Sequence, residues 1–211
     1  MTPKLALANL PDMHVLLPFY VEADDAPAKR EILRAALKLF SGRGLAATSI
    51  RDIAAESGYT NPALYKHFES KDALALHLFE TCHARVWSTC ATALASERTF
   101  DGKLDAFVAA WLGLLDDEPE VLAFLADSAR VLWPQASASV RRNTMIGLAR
   151  TLVLTAEGVR AAGGGIDPNA AAASVQGTLA ELGRMIQVGA VAGPARRWQG
   201  KLVALFRRAL G

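Results

Sequence analysis

Apolar residues recur along this chain at steps of three and four, and no run sustains a two-residue alternation; that period admits helices and leaves no sequence for a sheet. Ile32, Ala36, Leu39 and Phe40 fall at i, i+4, i+7 and i+8, one helical face, between Pro27 as a start signal and Gly42 and Gly44 as stop signals. A second short helix starts at Thr48 or Ser49, whose hydroxyl caps a free backbone N–H, and Asp52 three residues after Ser49 reinforces that start. Its inward residues are Ile50, Ile53 and Ala54, and Gly58 stops it. Thr60 or Asn61 caps a third helix over roughly 61–67, with Pro62 in the first turn, where a missing N–H costs nothing. Ser70 caps a long fourth helix with a stripe of Leu74, Leu78, Cys82 and Val86.

Beyond residue 90 the pattern stays helical. Apolar stretches 104–115, 121–132 and 143–162 are separated by Trp133-Pro134 and by an acidic bend, Asp116-Asp117-Glu118-Pro119, which reads as a solvated turn. Gly163-Gly164-Gly165 followed by Pro168 is the clearest break. The helix after it carries Val175, Leu179, Leu182 and Ile186 on one face and is expected to end at Gly193-Pro194. A last helix places Trp198, Leu202, Leu205 and Ala209 on one side, and Arg197, Lys201 and Arg208 on another.

Composition narrows the function classes. At 211 residues with 52% hydrophobic residues and a net charge of +2, the chain can bury a real core and does not fit extensive disorder. The longest charge-free run, Pro168 to Ala180, has 13 residues and is mostly alanine, whereas a membrane span needs about 20 apolar ones. Pro11 and Asp12 interrupt the short apolar run after Lys4, a poor match to a signal peptide, so a soluble, cytoplasmic protein is expected. Cys82 and Cys90, on one helix, stand about 12 Å apart, too far for a disulfide. Residues 1–27 carry one basic and four acidic groups; residues 28–72 carry eight basic and five acidic ones. The basic excess thus sits in a short N-proximal module, a weak pointer to a polyanionic partner.

That module contains two short helices joined by a turn at Gly58-Tyr59-Thr60, the spacing of a helix-turn-helix. Leu64 and Phe68 face a small core with Ile50 and Ile53, which leaves Thr60, Asn61, Ala63, Tyr65, Lys66 and His67 toward solvent. Hydroxyl, amide, phenol and basic groups on one side of a short helix suit a major-groove reader. Periodicity alone fits a plain αα-hairpin in a helical bundle equally well.

Thr48-Ser49-Ile50-Arg51-Asp52-Ile53-Ala54-Ala55-Glu56-Ser57-Gly58-Tyr59-Thr60, continued by Asn61-Pro62-Ala63-Leu64-Tyr65-Lys66-His67-Phe68-Glu69-Ser70-Lys71-Asp72-Ala73-Leu74, strongly resembles the DNA-binding region of TetR-type transcriptional regulators. Ile32, Leu33, Ala35, Ala36, Leu39, Phe40 and Gly44 fit that family's first helix. The resemblance implies an all-α fold. An N-terminal three-helix DNA-binding domain, 28–74, follows an acidic, partly disordered leader, 1–27, and joins a helical ligand-binding and dimerisation domain, 75–211. It implies a homodimeric repressor that binds palindromic double-stranded operator DNA and is released by a small molecule. Carried over by position, Thr48, Tyr65, His67 and Lys71 match phosphate or backbone contacts. Thr60, Asn61 and Ala63 match positions facing bases or nearby phosphates, and Lys66 lies on the same outward side. Tyr59 replaces the commoner small aliphatic of the turn and adds a possible contact; Ala63 replaces a frequent threonine and offers only a methyl.

For the C-terminal part, Trp87, Phe107, Trp111, Phe124, Trp133, Met145 and Met185 are candidates to line a cavity for an apolar or aromatic effector. The last two helices match the family's dimer-forming pair, with Val175, Leu179, Leu182, Ile186, Leu202 and Leu205 as candidate interface residues and Gly177 and Gly183 permitting close approach. His77 and His83 lack the i, i+4 spacing of a helical metal pair, and no cofactor or metal is expected. No nucleophile–base pair or Gly-rich phosphate loop points to an enzyme. Two other readings stay open: a DNA-binding regulator with no small-molecule effector, and a helical carrier or enzyme.

Overall fold

A computed structural model describes residues 17–155 and 167–210. Among them there is no strand, and no helix is long and apolar enough to cross a membrane. The predicted break at Gly163-Gly164-Gly165 and the end of the predicted 143–162 stretch lie outside the described residues.

The first helix, α1, spans Pro27–Arg43, with the proline in its first turn and Gly44 at its C-cap at φ +85°. It runs through Gly42, which therefore stops nothing. Helix α2, Ile50–Ser57, begins with a capping box: the Ser49 hydroxyl accepts the Asp52 N–H while the Asp52 carboxylate accepts the Ser49 N–H. Gly58 ends α2 at φ +74°, the left-handed conformation that a side chain penalises. Helix α3 is only Asn61–Tyr65, two residues shorter than expected; Thr60 occupies its N-cap position, yet its side chain makes no capping bond. Helix α4, Lys71–Ser96, is capped by Ser70 as expected, and its 26 residues extend about 39 Å. Leu74, Leu78, Cys82 and Val86 are all buried along it.

Around α4 the body assembles from α5 (Phe100–Asp117), α6 (Pro119–Leu132), α7 (Ala138–Arg142), α8 (Met145–Leu154), α9 (Pro168–Gln187) and α10 (Gln199–Leu210). Short 3₁₀ turns occupy Trp133–Gln135 and Ala195–Trp198. Helices α5 and α6 flank α4, α9 lies on α8 and α5, and α10 lies on α5. Helix α6 also reaches α1, so the N-terminal helices and the body share one hydrophobic core. Cys82 and Cys90 are free and buried on α4, as their spacing requires; burial pushes both thiols up, that of Cys90 to about 12.

Over its described part the leader docks on the body, and elsewhere several expectations are corrected. Val21 is fully buried, Leu17, Phe19 and Tyr20 pack on the core, and Arg85 of α4 donates to the carbonyls of Val21 (2.6 Å) and Leu17 (3.4 Å). The acidic bend is not merely solvated. The Asp116 carboxylate accepts the backbone N–H groups of Ala195 (2.5 Å) and Arg196 (3.0 Å), anchoring the turn that leads into α10. Helix α9 stops at Gln187, before Gly193-Pro194, because Gly189 at φ +72° turns the chain there. On α10 the buried stripe is Leu202, Val203, Phe206 and Leu210; Leu205 and Ala209 face solvent. Val175, Leu179 and Leu182 point into their own protomer, because α8 and α5 cover that face of α9. Gly183 serves the same contact: a Cβ there would stand 2.5 Å from Leu115 Cδ2 of α5.

Asp116→Ala strips two backbone donors of their acceptor and should lower unfolding free energy by about 2 kcal/mol. Asp117, whose carboxylate pairs with the Arg196 guanidinium on the exposed surface, should cost at most about 0.5 kcal/mol on replacement by alanine. Urea unfolding monitored by far-UV circular dichroism distinguishes the two.

Candidate DNA-binding face and ligand cavity

The small N-terminal core is built from Ile32, Leu33, Phe40, Ile53, Ala54 and Leu64, with Phe68 closing its edge. Because Leu64 takes the inward side of α3, the outward side is fixed. Tyr65 is 53% exposed and Tyr59 36%, and Thr60, Lys66 and His67 are exposed beside them. Asn61 and Ala63 are half-buried. The uncapped Thr60 hydroxyl remains available to a ligand outside the chain. Arg51, on the exposed side of α2, is a further cation on this module that the residue-by-residue reading passed over. Its signal was present in the sequence: with Ile50, Ile53 and Ala54 inward, position 51 faces out.

Two expected phosphate ligands are employed inside the domain. Thr48 is 2% exposed, and its hydroxyl donates to the carbonyls of Gly44 (2.9 Å) and Leu39 (3.4 Å), so it seals the end of α1 and does not present itself to DNA. The Lys71 ammonium donates to the carbonyls of Leu45 and Thr48, each at 2.9 Å. It ties the loop after α1 to the start of α4 and keeps only one of its three N–H groups for anything else. Lys38 of α1 also pairs with Glu56 of α2 at 2.7 Å, holding that carboxyl below its usual range.

The body holds a cavity of about 500 Å³ between α4, α5, α6, α8 and α9, within the size range of small-molecule sites. Trp111, Trp133 and Met145 line it as expected, joined by Phe79, His83, Leu122, Leu125 and Gln176. Phe107 and Phe124 do not; both are fully buried in the core. Trp87 lines a separate hollow of about 280 Å³ under the N-terminal segment, with Phe19 and Arg85. Met185 and Ile186 are half-buried near the end of α9, outside the cavity wall. Phe79 and His83, one turn apart on α4, are not among the residues expected from sequence, although their i, i+4 spacing puts them on one face.

Aromatic rings join this cavity to the helix-turn-helix domain. His83 and Trp133 meet edge to face at 5.3 Å between centroids, and Phe79 contacts His83 at 6.2 Å and Trp133 at 6.5 Å. Phe79 reaches Phe124 of α6 at 6.3 Å, and Phe124 stacks on Phe40 of α1 at 5.7 Å. Burial holds His83 below its usual pKa, favouring the neutral ring. Glu22, Asp25 and His77 bring ligating atoms within 4.8 Å of one another, but Lys29 pairs with Asp25 at 2.5 Å and already supplies a positive charge there.

This arrangement defines a helix-turn-helix domain mounted on a helical body with an internal cavity. Residues 32–78 match the sequence model of "Bacterial regulatory proteins, tetR family". It is 30% identical over 114 residues to the HTH-type transcriptional repressor KstR2 of Rhodococcus jostii, covering 52% of this chain and 56% of that one. It is 56% identical over 43 residues to the HTH-type transcriptional repressor Rv3405c of Mycobacterium tuberculosis, covering 20% and 23%. Its alignments span 18% of the Bacillus subtilis regulator YerO and about half of R. jostii KstR2. The fold matches KstR2 of M. tuberculosis with a TM-score of 0.75 at 18% identity, over 90% of this chain and 96% of that one. It matches B. subtilis FadR in complex with stearoyl-CoA with a TM-score of 0.65 at 15% identity, over 84% and 96%.

Thr48→Val leaves two carbonyls without their donor, and Lys71→Met does the same at the α4 junction; each should lower stability by about 1–2 kcal/mol. Tyr65→Phe removes an exposed hydroxyl with no partner among the described residues and should change stability by under about 0.5 kcal/mol. Thermal unfolding of the three variants checks the assignment.

Proposed function

We propose that the chain is a homodimeric transcriptional repressor whose α3 reads the major groove of a near-palindromic operator and which a small molecule in the cavity releases. The observation that carries this reading is the outward face of α3 and its turn. Phenols, hydroxyls and cations are presented to solvent over a fully buried Leu64, on a domain joined by stacked rings to a roomy cavity. That R. jostii KstR2 and M. tuberculosis Rv3405c are repressors supports repression. The stearoyl-CoA in the FadR complex supports a small-molecule effector without fixing its class here. An enzyme is not the reading: the relatives it matches are regulators, and among the described residues the cavity lining brings together no nucleophile with a base.

On DNA, Tyr65 and His67 contact backbone phosphates, Lys66 and Arg51 add attraction, and Thr60, Asn61 and Ala63 approach base edges. Thr48 and Lys71 act indirectly, by holding α2 and α4 in the register that presents α3. The dimer forms through the solvent side of α9 and α10, where Leu205 is 51% exposed and Val188, just past α9, is 62% exposed. Val175, Leu179, Leu182 and Leu202 support that face from beneath. A two-fold axis through it sets the recognition helices about 34–36 Å apart, one turn of DNA. A ligand pressing on Phe79, His83 or Trp133 displaces α4 or α6, and the Phe124–Phe40 stack passes the shift to α1. The protein then favours a spacing that no longer fits the operator, and by linkage the operator and the ligand oppose each other's binding.

Footprinting on genomic DNA of the source organism should reveal a protected two-fold site with half-sites one or more turns apart. On that site Tyr65→Phe should weaken all sequence variants alike, whereas Asn61→Ala should change the preferred base. Lys66→Ala should flatten the slope of log affinity against log salt by about 0.9 if it neutralises one phosphate. Phe124→Leu should retain ligand binding yet reduce the ligand's effect on operator affinity. Absence of any protected site, with equal binding to random duplex, would refute the repressor reading.

A further inference from the structure

The cavity wall is apolar but not indifferent. Three of its residues hold buried polar atoms without a hydrogen-bond partner: Trp111 Nε1, His83 Nδ1 and Gln176 Oε1. Native structures leave few such atoms, and three around one cavity, from α4, α5 and α9, mark a place where a polar group is missing. Their chemistry is specific. An indole N–H only donates and an amide oxygen only accepts, so between them they ask for a group that does both. A neutral imidazole is content with either. Charge at the mouth is equally informative: Asp127, Glu181 and Arg184 stand there, one cation against two carboxylates. That cation is committed, since Arg184 meets Glu181 through two bonds, Nε to Oε2 at 2.9 Å and Nη2 to Oε1 at 2.5 Å. Among the described residues, neither lysine nor an unpaired arginine lines the cavity to receive a carboxylate, phosphate or coenzyme A thioester.

Resting on the reading of this cavity as the effector site, we infer that it takes an uncharged, largely apolar molecule carrying a hydroxyl group. Small adjustments of Trp111 and Gln176 bring the indole N–H and the amide oxygen onto that hydroxyl, which accepts from the first and donates to the second. Aromatic and aliphatic side chains enclose the rest of the molecule. An anionic ligand loses its hydration on entry and meets a net negative mouth, so it is excluded by the same residues.

The test measures binding of matched probes to the full-length protein by tryptophan fluorescence and calorimetry. The probes are 1-dodecanol with dodecanoate, 4-phenylphenol with biphenyl-4-carboxylate, and testosterone with testosterone sulfate. At least one neutral hydroxylated probe should bind, at least tenfold more tightly than its anionic counterpart. Trp111→Phe should weaken that probe by about tenfold, the scale of one buried hydrogen bond, without moving the melting temperature of the ligand-free protein by more than a few degrees. Gln176→Leu, which fills the same space without an acceptor, gives an independent second variant and should weaken it similarly. Equal or tighter binding of the anionic members overturns the assignment of ligand class while leaving the cavity as the effector site. Unchanged affinity in both variants also overturns it. If no probe binds, the cavity is not a small-molecule site of this kind, and both this inference and the effector part of the proposed function fall.

Discussion

The stack of Phe40 on Phe124 is the joint on which the rest of the molecule turns. One ring belongs to the helix that anchors the helix-turn-helix module, the other to a helix of the body, and both are buried. Dense packing gives such a contact a few discrete arrangements and little room between them. The module is therefore not a bead on a flexible string. Helix α4 runs out of it into the body as one continuous rod, and α6 closes the triangle with α1.

Within the module, the allocation of polar groups is as important as their number. Thr48 and Lys71 direct their donors to backbone carbonyls of the connection between α1 and α2, at Gly44, Leu45 and Thr48. That allocation frees Tyr59, Thr60, Tyr65, Lys66 and His67 to face outward from a core scarcely larger than a few leucines. A five-residue helix is marginal on its own. It persists here because Leu64 is enclosed and because the Ser49–Asp52 box and Gly58 determine how the chain enters and leaves the preceding helix.

Helix starts, the helix-turn-helix and the stripe of α4 were legible in the sequence because their causes are local: a hydroxyl at a cap, a glycine at positive φ, apolar residues at helical spacing. What escaped was set by partners distant in sequence. Nothing near Asp116 reveals that the backbone of Ala195 will come to rest on it. Val175, Leu179 and Leu182 form a convincing stripe, but a stripe says only that something covers it; α8 and α5 do, within the same protomer. On α10 the choice between Leu205 and Val203 was one of phase, and a helix of 12 residues tolerates either until α5 selects one. The cavity was half legible. Trp111, Trp133 and Met145 line it, but Phe107 and Phe124 are as aromatic and as helical, and only the packing of α6 on α1 and α4 decides that Phe124 fills the core.

The clamp of Arg85 on the N-terminal segment has a bearing on modularity. By sequence the border of the DNA-binding module falls at Pro27, where the first helix begins. Yet residues 17–26 are wedged against α4, about four turns into that helix, where the Arg85 guanidinium binds the carbonyls of Leu17 and Val21. The stretch preceding α1 is thus structurally part of the body while covalently part of the reader. A chimera that exchanges operator specificity by swapping modules at Pro27 would graft the incoming arm onto a foreign α4, leaving Arg85 with no carbonyls to hold and the seat of Val21 empty. The natural unit of exchange is the outward face of α2 and α3, transplanted residue by residue, with the arm, α1 and α4 left in place.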